Sequence, residues 1–409
     1  MKKAIVGTSG ALLLVLVISG CSTNNPTTPM ASNSANPAVA MAGRAPDWAN
    51  DPNILMPESS RPVFGELHTN HLIYIGPDRH INNFASPAGF GPSQIRQAYG
   101  IPSTGGAGTI VIVDAFDDPY ALADFNAFSA QYGLPQEPST SVTASTNAVF
   151  QVVYAAGKKP RFNSGWSQEE ALDIEWAHAM APNAKIILVE AASNSGTNLY
   201  GADDFAATLS GARQCSNSWG GGESSGEASS DSHFNHAGVT YFFSTGDKGG
   251  VKDYPAASPN VVAVGGTSLF LDGSGNRSSE SVWNGTGCGP SAYEPRPSYQ
   301  SSVTSVVGSA RGIGDVAAVA DPNTGVAVRW NGGWYVFGGT SVACPVIAGI
   351  VNISGSNRGG AVAENTFIYG GLGGANFYDV TSGSAGSFAG LVGYDFPTGV
   401  GSPKGTAGF

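Results

Sequence analysis

The chain has 409 residues, of which 41% are hydrophobic and only 12% charged, with a formal net charge of −11. That length and apolar content allow a large buried core in one large domain or two ordinary ones. The acidic balance, with an isoelectric point near 4.9, leaves no basic stripe and excludes a nucleic-acid-binding protein.

The N-terminus reads as a targeting segment. Lys2 and Lys3 precede an apolar run from Ala4 to Ile18 that is too short and wrongly flanked for a membrane span. Ile18-Ser19-Gly20-Cys21 resembles a bacterial lipobox, so residues 1–21 are expected to be a lipoprotein signal peptide with lipid on Cys21. The other reading is an ordinary secretory signal. Residues 22–46 are rich in Asn, Thr, Pro, Ser and Ala, too polar to order themselves, and are expected to form a tether. Residues 47–89 form an irregular N-terminal extension without an assigned fold, and residues 90–409 are expected to form the main domain. Beyond Cys21 the cysteines are Cys215, Cys288 and Cys344, so at least one thiol is free.

From residue 91 the pattern becomes regular. Thr109 to Asp114 is a continuous apolar run, as in a strand buried on both faces. Pro119 to Tyr132 is a predicted helix, Val149 to Tyr154 a strand, Gln168 to Met180 a helix and Lys185 to Glu190 a strand. A helix over 198–213 precedes a short strand at 214–217. A helix ends near His236, and strands follow at 239–243 and 261–264. Val326 to Trp330 and Trp334 to Phe337 flank Asn331-Gly332-Gly333, a hairpin signal. Ser341 to Ile353 is an apolar helix. Alternating strands and helices predict an α/β fold with a mostly parallel sheet.

Glu169 and Asp173 stand one helical turn apart on a stripe completed by Leu172, Trp176 and Met180. Burial among such residues should raise both carboxyl pKa values, and repulsion should split them. A pair sharing one proton serves as base and then as acid. Ser167 and Glu170 stand in capping-box spacing, which gives Glu170 a structural task. Gly339-Thr340-Ser341 puts a serine at a helix N-terminus, where backbone N–H groups are free to hold an oxyanion. Asp247 follows the strand ending in Phe242-Phe243-Ser244; a neutral carboxylic acid there could donate to the same oxyanion. His178 lies roughly 140° around the helix from Asp173. His68, His71, His80, His233 and His236 fall in irregular or peripheral stretches, so no histidine is expected to be the base.

Together these residues resemble the sedolisin family of serine-carboxyl peptidases, which have a subtilisin-like fold. The resemblance runs from about residue 91 to 402. It is carried by Ser167 to Asp173, Ser216-Asn217-Ser218-Trp219-Gly220, Ser244-Thr245-Gly246-Asp247, Tyr254-Pro255-Ala256 with Val264-Gly265-Gly266-Thr267, and Gly339-Thr340-Ser341 with Pro345. It implies Ser341 as nucleophile, Glu169 as general base, Asp173 as its partner and Asp247 as the oxyanion acid. Asp114 and Trp219 match positions that extend the hydrogen-bond network in some members. Asp379-Val380 and Gly393-Tyr394-Asp395 resemble the family's calcium site, with carbonyls of Val380, Leu391 and Gly393 completing one structural Ca2+.

The resemblance also implies a large prosegment, whereas residues 22–89 offer only a short stretch, so either activation is controlled differently or the enzyme is not held inactive in the usual way. The combined expectation is a monomeric, exported, surface-anchored peptidase acting on polypeptides at acidic pH. Its rivals are a non-catalytic surface binding module on the same scaffold and a histidine-dependent subtilase.

Overall fold

A computed structural model describes residues 47–77 and 84–409. The signal peptide, the tether, Cys21 and His80 lie outside them. Among the described residues no helix is long and apolar enough to cross a membrane.

An eight-stranded sheet organises the molecule. Its central strands run Val262–Leu271, Thr240–Ser244, Ala212–Asn217, Thr109–Ala115, Lys185–Ala191 and Phe150–Tyr154, all parallel to their neighbours. Val316–Val319 adds a further parallel strand beside Val262–Leu271, and Arg277–Val282 closes that edge antiparallel. Both faces are covered. Val111 and Val113 enter a core with Leu199 and Ala202, whereas Ile110 and Ile112 pack against Phe125, Ile174 and Ala177. This is why the first strand reads as an unbroken apolar run.

Two buried helices meet on one side of the sheet: Ser164–Met180, which carries Glu169 and Asp173, and Thr340–Ile353, which begins at the nucleophile motif. They cross closely because Gly349 has no side chain; a Cβ there would stand 2.5 Å from Met180 Cβ. The hairpin forms as predicted, with Val326–Trp330 on Gly333–Gly338 and Asn331 at φ 46°.

Three element predictions need correction. The helix predicted over 198–213 is Gly196–Ala206; Gly211, at φ 79°, turns the chain into the strand Ala212–Asn217. The segment ending near His236 is a 3-10 helix, Glu227–Phe234. The predicted capping box is absent because the carboxylate helix starts a turn earlier, at Ser164, and Asn163 caps it by accepting from the N–H groups of Gly165 and Trp166. Ser167 therefore lies inside the helix, and its hydroxyl donates to Asp118.

The N-terminal extension supplies strands to two smaller sheets beside the main one. Ile54–Leu55 pairs with Leu72–Tyr74, which pairs in turn with Val336–Gly338, just before the nucleophile motif. His68–Thr69 pairs antiparallel with Trp219–Gly220. His68 and His71, expected in peripheral stretches, are 3% and 0% exposed.

Candidate active site

Ser341, Glu169, Asp173 and Asp247 converge at the C-terminal ends of the parallel strands, where open α/β sheets hold their sites. Gly339 takes φ 103°, and any side chain there would collide with the Asn70 carbonyl and Asp247 Oδ2. That turn delivers Thr340 and Ser341 to the first helical positions. Thr340 donates to Asp247 Oδ1 through its backbone N–H at 2.8 Å and its hydroxyl at 2.9 Å. Asp247 Oδ2 has no partner and stays free to act. Burial, with a smaller push from the neighbouring Glu169 charge, outweighs the Thr340 hydrogen bonds and raises the Asp247 pKa to about 8, so at acidic pH it is an acid with a proton to donate.

Asp173 accepts from Ser218 Oγ at 2.8 Å, and Ser341 Oγ donates to Ser218 O at 3.2 Å, so Ser218 links nucleophile and carboxylate. Burial holds both Glu169 and Asp173 well above the ordinary carboxylate range; for Asp173 the Glu169 charge adds to it. The Ser341 hydroxyl, the Asn70 N–H and the Thr69 hydroxyl work in the opposite sense on Glu169.

Asp114 is buried with both oxygens unpartnered, and its pKa is raised by burial and then by Asp173 and Glu169. It therefore belongs to the same electrostatic cluster. Trp219 gives its indole N–H to Val113 O at 2.7 Å, which fixes the end of the strand bearing Asp114.

Sequence reasoning missed the residues nearest the candidate groups. His71 Nδ1 lies 2.6 Å from Glu169 Oε2, and its Nε2 lies 3.3 Å from the Gln168 amide oxygen. An amide oxygen only accepts, so the imidazole proton sits on Nε2; Nδ1 then accepts from a protonated Glu169. Burial lowers the His71 pKa to about 4, which keeps the ring neutral. The Asn70 carbonyl accepts from the Ser341 N–H at 3.0 Å. His71 and Glu169 are 98 positions apart, and no local motif marks the pairing. The short continuous apolar run Leu72-Ile73-Tyr74 is the one available signal that this segment forms a strand.

Elsewhere the candidate residues fall as follows. His178 is buried, with Nε2 2.9 Å from Pro135 O and its ring near Phe125, away from the base. The Cys215, Cys288 and Cys344 thiols are all free and buried. Asp379 and Asp395 close on one loop: Gly393 N–H donates to Asp379, and Leu391 N–H to Asp395. Burial raises Asp395 to about 6 and the Asp379 charge adds to it, repulsion that a cation between them would reverse. Val380 is buried beside this loop, and its carbonyl faces Gly390.

Architecture and site together define a subtilisin-like α/β protein with a serine-carboxyl constellation. Residues 155–358 match the Subtilase family. Kumamolisin from Bacillus sp. (strain MN-32) is 33% identical over 362 residues, covering 78% of this chain and 63% of that protein. Sedolisin from Pseudomonas sp. (strain 101) is 30% identical over 283 residues, covering 64% of this chain and 46% of that protein. The chain thus spans about half to two-thirds of the length of these curated relatives. The solved structure of Pseudomonas sedolisin, a serine-carboxyl proteinase complexed with two molecules of pseudo-iodotyrostatin, superposes with a TM-score of 0.66 at 27% identity, covering 78% of this chain and 96% of that one. A psychrophilic protease, S41, shares the fold at a TM-score of 0.51 and 20% identity, over 78% of this chain and 99% of that one. The chain belongs to the sedolisin family.

Proposed function

We propose that this chain is a serine-carboxyl peptidase that hydrolyses peptide bonds in polypeptides through an acyl-enzyme on Ser341. The observation that carries the reading is the Ser341 N–H on the Asn70 carbonyl at 3.0 Å, with an unpartnered Asp247 oxygen on the same side of Gly339 as that carbonyl. A carbonyl held there is polarised by two donors, provided that Asp247 keeps its proton. Glu169, when ionised, takes the Ser341 proton; Asp173 shares the charge; Ser218 orients both. The proton then passes to the leaving amine, and water completes the second half-reaction.

The pH range follows from the same groups. Asp247 donates only below its raised pKa of about 8. Glu169 accepts only when the pair with Asp173 has lost a proton. Burial holds that pair up, and opening the cleft to water lowers it again. The result is a bell-shaped profile on the acidic side of neutrality. A binding module on the same scaffold has no use for four buried carboxyls around a serine, so the catalytic reading is favoured.

One structural Ca2+ is proposed at Asp379 and Asp395, with carbonyls from Val380, Leu391 and Gly393; its role is to fix the C-terminal loops. Export and anchoring at a bacterial membrane or cell surface through lipid on Cys21 are proposed from Lys2, Lys3 and the apolar run to Ile18. The functional test is incubation of the purified protein with denatured protein from acidic to neutral pH. Cleavage that disappears in Ser341→Ala, and that Asp247→Asn sustains to higher pH, is the expected result. Cleavage that persists in Ser341→Ala, or an optimum above neutral pH, would overturn it.

A further inference from the structure

Beside Ser341 the side chains of Asn70 and His68 enter one polar chamber. His68–Thr69 pairs antiparallel with Trp219–Gly220, and the Asn70 N–H donates to Ser218 O at 3.1 Å, so residues 68–70 lie extended along that strand. In extended backbone alternate side chains share a face. The Asn70 carbonyl accepts from the Ser341 N–H at 3.0 Å, so the Asn70 side chain stands where a polypeptide would place the residue whose carbonyl is attacked. His68 stands two residues before it.

Both side chains meet Asp253. The Asn70 amide donates to Ser244 Oγ at 2.8 Å. Gly220 leaves room between Asn70 and Asp253: a Cβ there would stand 3.3 Å from Asp253 Cβ and 3.9 Å from Asn70 Nδ2. Gly246, at φ 100°, widens the same space, because a Cβ there would run into Asp253 Oδ2. His68 Nε2 lies 3.8 Å from Asp253 Oδ2 and 3.2 Å from Lys248 Nζ. His68 Nδ1 stands 3.2 Å from the Thr69 carbonyl, which can only accept, so the ring proton is on Nδ1 and Nε2 accepts from the Lys248 ammonium. Burial lowers the His68 pKa against the opposing pull of Asp253, and Lys248 adds to the lowering, so the neutral ring is favoured. Lys248 follows the oxyanion acid Asp247 in the chain and is partly buried. Burial pushes its amine down from the ordinary value, while the charges of Asp253 and then Asp247 hold it up.

We propose that Lys248 is a specificity-determining residue. Its ammonium offsets Asp253, so the chamber is charge-balanced and takes neutral polar side chains at the positions of Asn70 and His68. The inference rests on the peptidase reading above. A charged substrate side chain of either sign meets one group of opposite charge and one of like charge, and it loses its hydration on entry. An amide or a neutral imidazole loses less hydration and finds both a donor in Lys248 and an acceptor in Asp253. Without the ammonium, Asp253 is unopposed, and basic side chains become the favoured occupants.

The test uses the full-length protein and two sets of peptides. One set varies only the residue before the cut, the other only the residue two positions upstream of that; each offers Gln, Lys and Glu. kcat/KM is measured at one acidic pH. In the wild type the Gln peptides should exceed both charged classes by roughly tenfold. Lys248→Met should raise the Lys-to-Gln ratio by about tenfold without raising the Glu-to-Gln ratio. Asp253→Asn should raise the Glu-to-Gln ratio instead, and Lys248→Arg should keep the wild-type order. Ratios within one variant cancel any effect of Lys248 on the neighbouring Asp247. Should Lys248→Met be inactive, Lys248→Gln must show the same shift. Ser341-dependent cleavage with ratios unchanged by loss of the ammonium, or a wild type that favours a charged class, would overturn this proposal and leave the peptidase reading standing. Failure of the wild type to cleave any peptide would overturn both.

Discussion

Glu169 and Glu170 are neighbours in sequence with different fates. Both are fully buried, but Glu169 faces Ser341 and His71, whereas both Glu170 oxygens lack partners. Glu169→Gln should lower turnover by about 10²–10⁴, because an amide cannot take the serine proton. The Glu170 pKa is held far up by burial and then by Glu190, Asp118 and Asp114. A carboxyl whose folded pKa is raised costs stability progressively as pH rises from its unfolded value through its folded one. Glu170→Gln removes that penalty, so its melting temperature relative to wild type should be higher at pH 7 than at pH 4; an equal offset at both pH values would refute the assignment. The Ser167–Glu170 capping reading failed because spacing alone does not say where a helix starts. Asn163 was as eligible a cap, and nothing local marked the extra turn. The site carboxyls were legible for the opposite reason: Glu169 and Asp173 lie within one helical turn, and Ser341 follows a glycine turn, so chemistry and spacing sit in a few consecutive residues. Asn70 and His71 owe their roles to strand pairings with distant segments, which no window of sequence contains.

Among the elements, the two helices that carry the candidate site, Ser164–Met180 and Thr340–Ile353, depend on their close crossing. Gly349→Val would force a branched side chain against Met180 and the Ala177 carbonyl. Overpacking of this kind costs about 1–3 kcal/mol, and the displaced helix should also move Ser341 relative to Glu169. Denaturant melts and activity measured together check this: a stability loss of that size with a larger fractional loss of turnover is expected. The C-terminal loops offer a second case. If Asp379 and Asp395 share Ca2+, chelation should lower the melting temperature by mass action, and Asp395→Ala should abolish that response. Identical melts with and without chelator would rule the ion out. The alternation of strands and helices was readable because each buried strand is a solid apolar run. The Gly196–Ala206 helix was overextended because Thr208, Leu209 and Ser210 carry no strong stop before Gly211.

At the scale of the whole molecule, the acidic composition is partly internal. Burial raises Asp118, Glu227, Glu294 and Glu364 to about 7, Asp247 to about 8 and Glu190 to about 9. Each folded pKa lies above its unfolded value, so the folded state binds more protons, and stability falls as pH rises from about 4 through this range. His71 and His178, lowered to about 4, act in the opposite sense between that value and their unfolded pKa of 6.5. The carboxyls outnumber them, so the melting temperature should be higher near pH 5 than at pH 8. A profile rising towards pH 8 would contradict the burial pattern. The membrane anchor is checked at the same scale: mass spectrometry of the mature N-terminus should find a diacylglyceryl group on Cys21, and a chain starting elsewhere without lipid would defeat that expectation.

The extended segment 66–75, paired through His68–Thr69 and Leu72–Tyr74 on the two sides of Ser341, has one further consequence, for competition. A segment tethered at both ends presents itself to the cleft at an effective concentration on the order of millimolar. An outside polypeptide must outcompete that resident before it meets Ser341. For the peptidase proposed above, apparent KM should be inflated by the occupancy of this segment, with kcat for the molecules that get through unchanged. Weak, dilute peptides are filtered out, and long unfolded chains with many extended segments are favoured. On that reading, any agent that pulls on residues 66–75 from their N-terminal side should act as an activator by raising the fraction of open clefts.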